Sequence, residues 1–140
     1  MPLVSIITVV YNNARYIEDS IHSVLSQGYP RLEYVVIDGG STDGTVEIIE
    51  KYQNQISVFI SEPDEGIYNA LNKGIQHASG EVVGILHSGD LFCNENVVSA
   101  SIQKMNDTCS ELCFSDLVIV DAYSGKIVRY YMAHYFRRWM

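Results

Sequence analysis

Asp38 ends an apolar run, Val35-Val36-Ile37, and opens the stretch Gly39-Gly40-Ser41-Thr42-Asp43-Gly44-Thr45, so a carboxylate, three glycines and a set of hydroxyls follow a strand within one short turn. A carboxylate accepts N–H and O–H donors. Glycines tolerate backbone geometry, or close approach, denied to bulkier residues. Ser41, Thr42 and Asp43 are suited to cap the helix that follows. Together they offer hydrogen-bonding chemistry for a ligand with a polar edge, such as a nucleotide. The same residues are also ordinary strand-to-helix turn chemistry, so their reading depends on the elements around them.

Those elements alternate. Apolar runs at Val4 to Val10, Leu32 to Ile37, Val58 to Ile60 and Val82 to Leu86 predict short strands. The first two are nearly continuous in Val and Ile, as buried parallel strands are. Between them, Ile17, Ile21, Val24 and Leu25 predict a helix stopped by Gly28 and Pro30. Val46, Ile49 and Tyr52 predict a second helix, and Ile67, Ala70, Leu71, Ile75 and Ala78 a third. Strand–helix alternation predicts an α/β fold with a mostly parallel sheet flanked by helices. In such a sheet, ligands lie beyond the carboxyl ends of the strands, where Thr8 to Asn12, Asp38 to Ser41, Glu62 to Gly66 and Ser88 to Asp90 all fall. Farther on, Val97 to Met105 predicts a helix, Leu112 to Val120 a strand, Asp121 to Gly125 a turn and Lys126 to Tyr131 a second strand.

Four segments occur in a familiar order: Val4-Ser5-Ile6-Ile7-Thr8-Val9-Val10-Tyr11-Asn12, the Asp38 stretch, Ser61-Glu62-Pro63-Asp64-Glu65-Gly66-Ile67-Tyr68-Asn69-Ala70-Leu71-Asn72-Lys73-Gly74, and Leu86-His87-Ser88-Gly89-Asp90. With them the chain resembles a family-two glycosyltransferase of the GT-A fold, strongly from Pro2 to Asp90 and weakly beyond. The Ser-Gly-Asp form of the metal motif is similar to that of bacterial enzymes that assemble extracellular, capsular or colanic-acid-type polysaccharides. On this reading residues 1–140 are one GT-A-type domain. Residues 1–90 form the nucleotide-sugar-binding half, and residues 91–140 the start of an acceptor half whose remainder is missing.

The resemblance implies a donor site built from Thr8, Val9, Tyr11, Asn12, Asp38, Gly40, Ser41, Gly66, Asn72, Lys73 and Ser88. Asp38 and backbone groups of Thr8, Val9 and Tyr11 would meet the base and ribose, with uridine the commonest base. The helix bearing Asn72 and Lys73 would approach the diphosphate, although Lys73 reads equally as a solvated helical lysine. Asp90 is the metal ligand, for Mn²⁺ or Mg²⁺. A hard cation needs few protein carboxylates when diphosphate oxygens supply the rest, and where family members often show two acids this chain has Ser88 and Gly89 before Asp90. His87 is either a further ligand or a structural residue at a strand end. Asp64 and Glu65 precede a helix, where a capping role competes with substrate contact.

The reaction so implied is displacement at the anomeric carbon of a nucleotide-diphosphate sugar, UDP-linked in type, by a hydroxyl of a saccharide or lipid-linked acceptor, with inversion. It requires a carboxylate base. In relatives that base comes from a segment later than the one resembling Tyr135-Phe136-Arg137-Arg138, so it is expected beyond Met140. Asp116 is a weak candidate within the chain, and Asp121 reads as turn chemistry. The alternative is a non-catalytic, truncated nucleotide-sugar-binding module that works through a partner. A nucleotidyltransferase is disfavoured, because no glycine-rich, basic phosphate loop occurs early in the chain.

Composition bounds these readings. A chain of 140 residues, 47% hydrophobic and 19% charged, can bury a core. A formal charge of −8 argues against a nucleic-acid partner. All the acids precede Lys126, whereas Lys126, Arg129, Arg137 and Arg138 follow among Tyr130, Tyr131, Tyr135, Phe136 and Trp139. That tail is suited to contact with an anionic membrane surface. Three cysteines, Cys93, Cys109 and Cys113, suggest neither a disulfide framework nor a zinc site and are expected reduced and buried. No apolar run is long enough to span a bilayer and no secretion signal is evident, so the expected location is cytoplasmic, at the inner face of the membrane if the tail binds there. Apolar surface left by a missing acceptor half would favour a homodimer.

Overall fold

The computed structural model describes residues 1–133. The basic, aromatic segment Tyr135 to Trp139 lies outside the described residues. The chain divides into two compact units, Met1–Ser99 and Ala100–Met140.

In the first unit four strands, β1 (Val4–Val10), β2 (Leu32–Asp38), β3 (Val58–Ser61) and β4 (Val82–Ile85), alternate with the helices α1 (Ile17–Leu25), α2 (Thr45–Glu50) and α3 (Ile67–His77). The sheet order is β3-β2-β1-β4, and every pairing is parallel. Register is fixed by Val10 opposite Asp38 and Asp38 opposite Ser61, so three strands end at one level. Chain order reverses between β1 and β4, the place where open α/β sheets form a crevice.

The strands form where Val and Ile run together because both faces of the sheet are covered. All of β1 is buried, as are Tyr34 to Asp38 of β2. Side chains alternate between the faces. Ile7, Val9, Val35 and Ile37 make one core with Ala70 of α3, backed by Val58, Ile60 and Leu71. Each fully buried aliphatic side chain contributes about 2 kcal/mol. Thr8 and Tyr34 share the other face, where the Tyr34 hydroxyl donates to Thr8 Oγ1 at 3.1 Å. Burial pushes the Tyr34 phenol up to about 12, which keeps it a donor. Outer strand β4 leaves Val83 and Ile85 exposed.

A helix α4 (Val97–Thr108) carries the boundary between the units. The second unit holds an antiparallel pair, β5 (Leu117–Val120) and β6 (Ile127–Tyr131). The strand predicted from Leu112 begins only at Leu117, because its ladder starts opposite Tyr131. Asp121 Oδ1 accepts from the Tyr123 and Ser124 N–H groups and the Ser124 hydroxyl, the turn chemistry expected of it. The cysteines are free, but Cys93 and Cys109 are exposed rather than buried. No helix among the described residues is long and apolar enough to cross a membrane.

Candidate functional site

The carboxyl ends of β1 and β2, the loop after β3 and the first turn of α3 enclose a pocket of about 600 Å³. It is lined by Val9, Val10, Tyr11, Gly39, Gly40, Pro63, Asp64, Gly66, Ile67 and Ala70. Val9, Tyr11, Gly40 and Gly66 were expected there from sequence. Thr8, Asn12, Asp38, Ser41, Asn72, Lys73, Ser88 and Asp90 are not among the lining residues.

Asp38 is wholly buried. Its Oδ2 accepts from the N–H groups of Gly40 at 3.0 Å and Ser41 at 2.9 Å and from the Ser61 hydroxyl at 2.8 Å. Its Oδ1 accepts from the Ser41 hydroxyl. Four donors from two loops converge on one carboxylate, which ties the β2 exit to the end of β3. In this geometry Asp38 shapes the pocket wall from behind.

The carboxylate that faces the pocket is that of Asp64. Its Oδ1 accepts the Gly66 N–H at 2.8 Å and so orders the entry to α3. A β-carbon on Gly39 would stand 2.8 Å from Asp64 Oδ2, so any side chain at 39 would displace the carboxylate from its present position. The adjoining loop is laced to β1. Asn12, held at φ 48°, donates its N–H to Ser41 Oγ at 2.7 Å and accepts the Thr42 N–H at 2.9 Å. Asp43 accepts the Ala14 N–H at 3.0 Å and the Thr45 N–H at 3.1 Å. The Ala14 and Thr45 hydrogen bonds hold the Asp43 carboxyl below its ordinary range.

Lys73 is paired with Glu62 at 2.8 Å. The lysine's hydrogen bond and charge hold the Glu62 carboxyl below its usual range. Asn72 is exposed on the same helix.

Beyond β4, residues His87 to Asp90 form a turn in which the Asp90 N–H donates to the His87 carbonyl at 3.0 Å, with Gly89 at φ 96°. Only glycine adopts that backbone without strain. Ser88 continues the sheet edge through its N–H to the Val9 carbonyl, and its hydroxyl accepts from Asn13 Nδ2 at 2.7 Å. His87 Nδ1 is buried with no hydrogen-bond partner among the described residues. The Asp90 side chain is exposed, and no hydrogen bond or ion pair to its carboxylate is found among the described residues. No group of three or more His, Cys, Asp or Glu able to hold a metal occurs among them either. This donor set suits a hard cation that takes its remaining ligands from a bound diphosphate, not a self-sufficient metal centre.

In the second unit, Asp116 accepts from the Tyr130 hydroxyl at 3.0 Å and the Ala133 N–H at 2.7 Å. Both of its oxygens are thus engaged within that unit.

Asp64, weighed between capping and substrate contact, accepts the Gly66 N–H ahead of α3 and also lines the pocket. One feature escaped the sequence reading: Ser20 and Ser23 of α1, with Gln27 just beyond its end, although polar side chains at i, i+3 and i+7 beside an apolar stripe are a detectable signal.

Comparison with known proteins places this geometry. A model described as glycosyl transferase family 2 matches residues 5–139. The Bacillus subtilis glycosyltransferase TuaG, named for teichuronic acid biosynthesis, is 38% identical over 112 residues, covering 78% of this chain and 44% of that protein. The uncharacterized glycosyltransferase Rv1514c of Mycobacterium tuberculosis is 39% identical over 106 residues, covering 75% of this chain and 40% of its own. Among solved structures, a Pyrobaculum calidifontis mannosyltransferase in complex with GDP-Man and Mn²⁺ superposes with a TM-score of 0.70 at 27% identity, over 85% of this chain and 35% of that one. S. aureus TarS in complex with UDP-GlcNAc gives 0.70 at 27% identity, over 89% and 36%. The chain thus spans less than half the length of these relatives.

Proposed function

The chain belongs to glycosyl transferase family 2 and carries the GT-A arrangement of a parallel sheet flanked by helices, and from that premise we propose that it binds a nucleotide-diphosphate sugar, with UDP as the carrier, for transfer to a saccharide or lipid-linked acceptor. Inversion at the anomeric carbon and a place in bacterial surface-polysaccharide assembly belong to the same proposal. The similarity to a protein named for teichuronic acid biosynthesis supports that setting.

The observation that carries the donor reading is the pocket at the ends of β1 and β2, with Asp64 facing into it. An acceptor-only carboxylate there suits the N–H edge of a base or the hydroxyls of ribose. Tyr11, 65% exposed on the lining, offers a ring face for stacking. The first turn of α3 lacks a side-chain cap and adjoins the same pocket, an arrangement that favours negative charge.

Asp90, with Ser88 beside it, is the group that would hold Mn²⁺ or Mg²⁺. The cation supplies charge neutralisation for the diphosphate leaving group when bound. The Ser88 hydroxyl, already accepting from Asn13, keeps its proton for a phosphate oxygen.

Calorimetric titration with UDP and GDP, each with and without Mn²⁺, tests this. The expected result is binding selective for UDP and strengthened by Mn²⁺. Equal affinity for both would overturn the base assignment, and no binding of either would leave the family and fold standing without a working donor site.

A further inference from the structure

We propose that Ser20 is a positioning residue for Asp90, acting through a hydroxyl bridge across the Gly89–Asp90 backbone. The proposal rests on the reading of Asp90 as the group that meets the cation.

Ser20 is wholly buried in α1, a helix whose apolar residues Ile17, Ile21 and Val24 account for its packing. Its Oγ accepts the Gly89 N–H at 2.8 Å and stands 3.1 Å from the Asp90 carbonyl, to which it donates, with the Tyr16 carbonyl as a longer acceptor at 3.4 Å. One hydroxyl thus satisfies both a donor and an acceptor of the two residues that set the direction of the Asp90 side chain. The turn it holds is not self-supporting. Gly89 sits at φ 96°, and the single backbone hydrogen bond across the turn runs from Asp90 to His87.

Residues in and beside α1 extend the bridge in both directions. Asn13, before the helix, donates to Ser88 Oγ at 2.7 Å, on the other side of Gly89. Ser23 Oγ accepts the Phe92 N–H at 2.6 Å. Gln27 donates to the Asn94 carbonyl at 2.7 Å and accepts the Val98 N–H at 3.1 Å. Ser20 and Ser23 of α1, with Asn13 before the helix and Gln27 after it, therefore hold the loop from Ser88 to Val98, while the Asp90 carboxylate has no hydrogen bond or ion pair among the described residues. A side chain with no hydrogen bond or ion pair of its own among the described residues takes its direction from its backbone, and here that backbone is held by Ser20. Groups that orient a ligand typically change metal affinity ten- to a hundredfold when removed.

The experiment compares the 140-residue chain with Ser20→Ala and Ser20→Thr. It reads UDP affinity with and without Mn²⁺ by calorimetry and the electron paramagnetic resonance spectrum of Mn²⁺ with UDP. Ser20→Ala is expected to reduce the Mn²⁺-dependent gain in UDP affinity by about tenfold, to leave metal-free UDP affinity within twofold, and to broaden the range of Mn²⁺ environments in the spectrum. Ser20→Thr, which keeps the hydroxyl, restores the gain. Equal losses with and without Mn²⁺ would show a general loosening and overturn the proposal, as would an unchanged gain. Should Ser20→Ala not fold, Asn13→Ala removes the bridge to Ser88 from outside the core. It is expected to lower the Mn²⁺ gain about threefold by the same reasoning, and no change would overturn the proposal. If the wild-type chain shows UDP binding but no Mn²⁺ gain, the reading of Asp90 has failed and the proposal falls with it, an outcome distinct from a wild-type gain that Ser20→Ala leaves intact.

Discussion

Asp38 ends β2 and Asp90 lies in the turn after β4, two aspartates followed or preceded by glycine at the carboxyl ends of the strands that flank β1, yet their surroundings are opposite. Asp38 is wholly buried and accepts from Gly40, Ser41 and Ser61. Asp90 is exposed, its backbone is held by Ser20, and its carboxylate meets none of the described residues. The first spends its charge on building the wall of a pocket. The second is held through its backbone, and its carboxylate is left for the cation proposed above. Counting hydrogen-bond partners therefore separates a carboxylate engaged by the scaffold from one that is not, where residue type and strand position do not.

The sharpest way to break this comparison is Asp38→Asn. An amide turns two hydrogens toward N–H and O–H donors, leaving buried groups unsatisfied at about 1–3 kcal/mol each. The expected loss is about 3 kcal/mol of stability in urea unfolding, with UDP binding lost as the pocket wall opens. A variant as stable as the parent would remove the distinction drawn here.

Asp90→Asn probes the other side. Stability is expected to move by no more than about 0.5 kcal/mol, as for an exposed substitution, while the Mn²⁺-dependent part of UDP affinity falls at least tenfold. If unfolding rather than Mn²⁺ dependence changed, Asp90 would belong with Asp38.

Asp43 gives a smaller, pH-dependent refinement. The Ala14 N–H, then the Thr45 hydroxyl and N–H, hold its carboxyl below the ordinary range. A lowered carboxyl stabilises the fold above its unfolded value, near 4, and that contribution is lost as pH falls through the lower folded value. The melting temperature is therefore expected to drop as pH goes below about 4, and Asp43→Asn to flatten that part of the profile. A slope unchanged by the substitution would mean that Asp43 is solvated like any surface acid.

Much of this was legible in the residues. The Val- and Ile-rich runs gave strands that coincide with β1 and nearly coincide with β2, because side chains covered on both faces leave no alternation to misread. Ile17, Ile21, Val24 and Leu25 marked α1 for the equally local reason of helical period. The Leu112 strand was less legible, since a strand's start is set by where its partner begins.

The motif residues were legible as a set, not as individuals. Sequence placed Asp38, Ser41, Gly66, Ser88 and Asp90 at strand ends because chain order and alternation determine that edge. Which carboxylate turns inward and which stays free depends on donors contributed by segments distant in sequence: Ser61 for Asp38, the notch at Gly39 for Asp64 and Ser20 for the backbone of Asp90. The sequence by itself determined the elements, their order and the edge at which chemistry collects, since hydrophobic period and turn residues are local properties. Only the tertiary structure decided which side chains have spent their hydrogen-bonding capacity, because that depends on three-dimensional neighbours that no local pattern records.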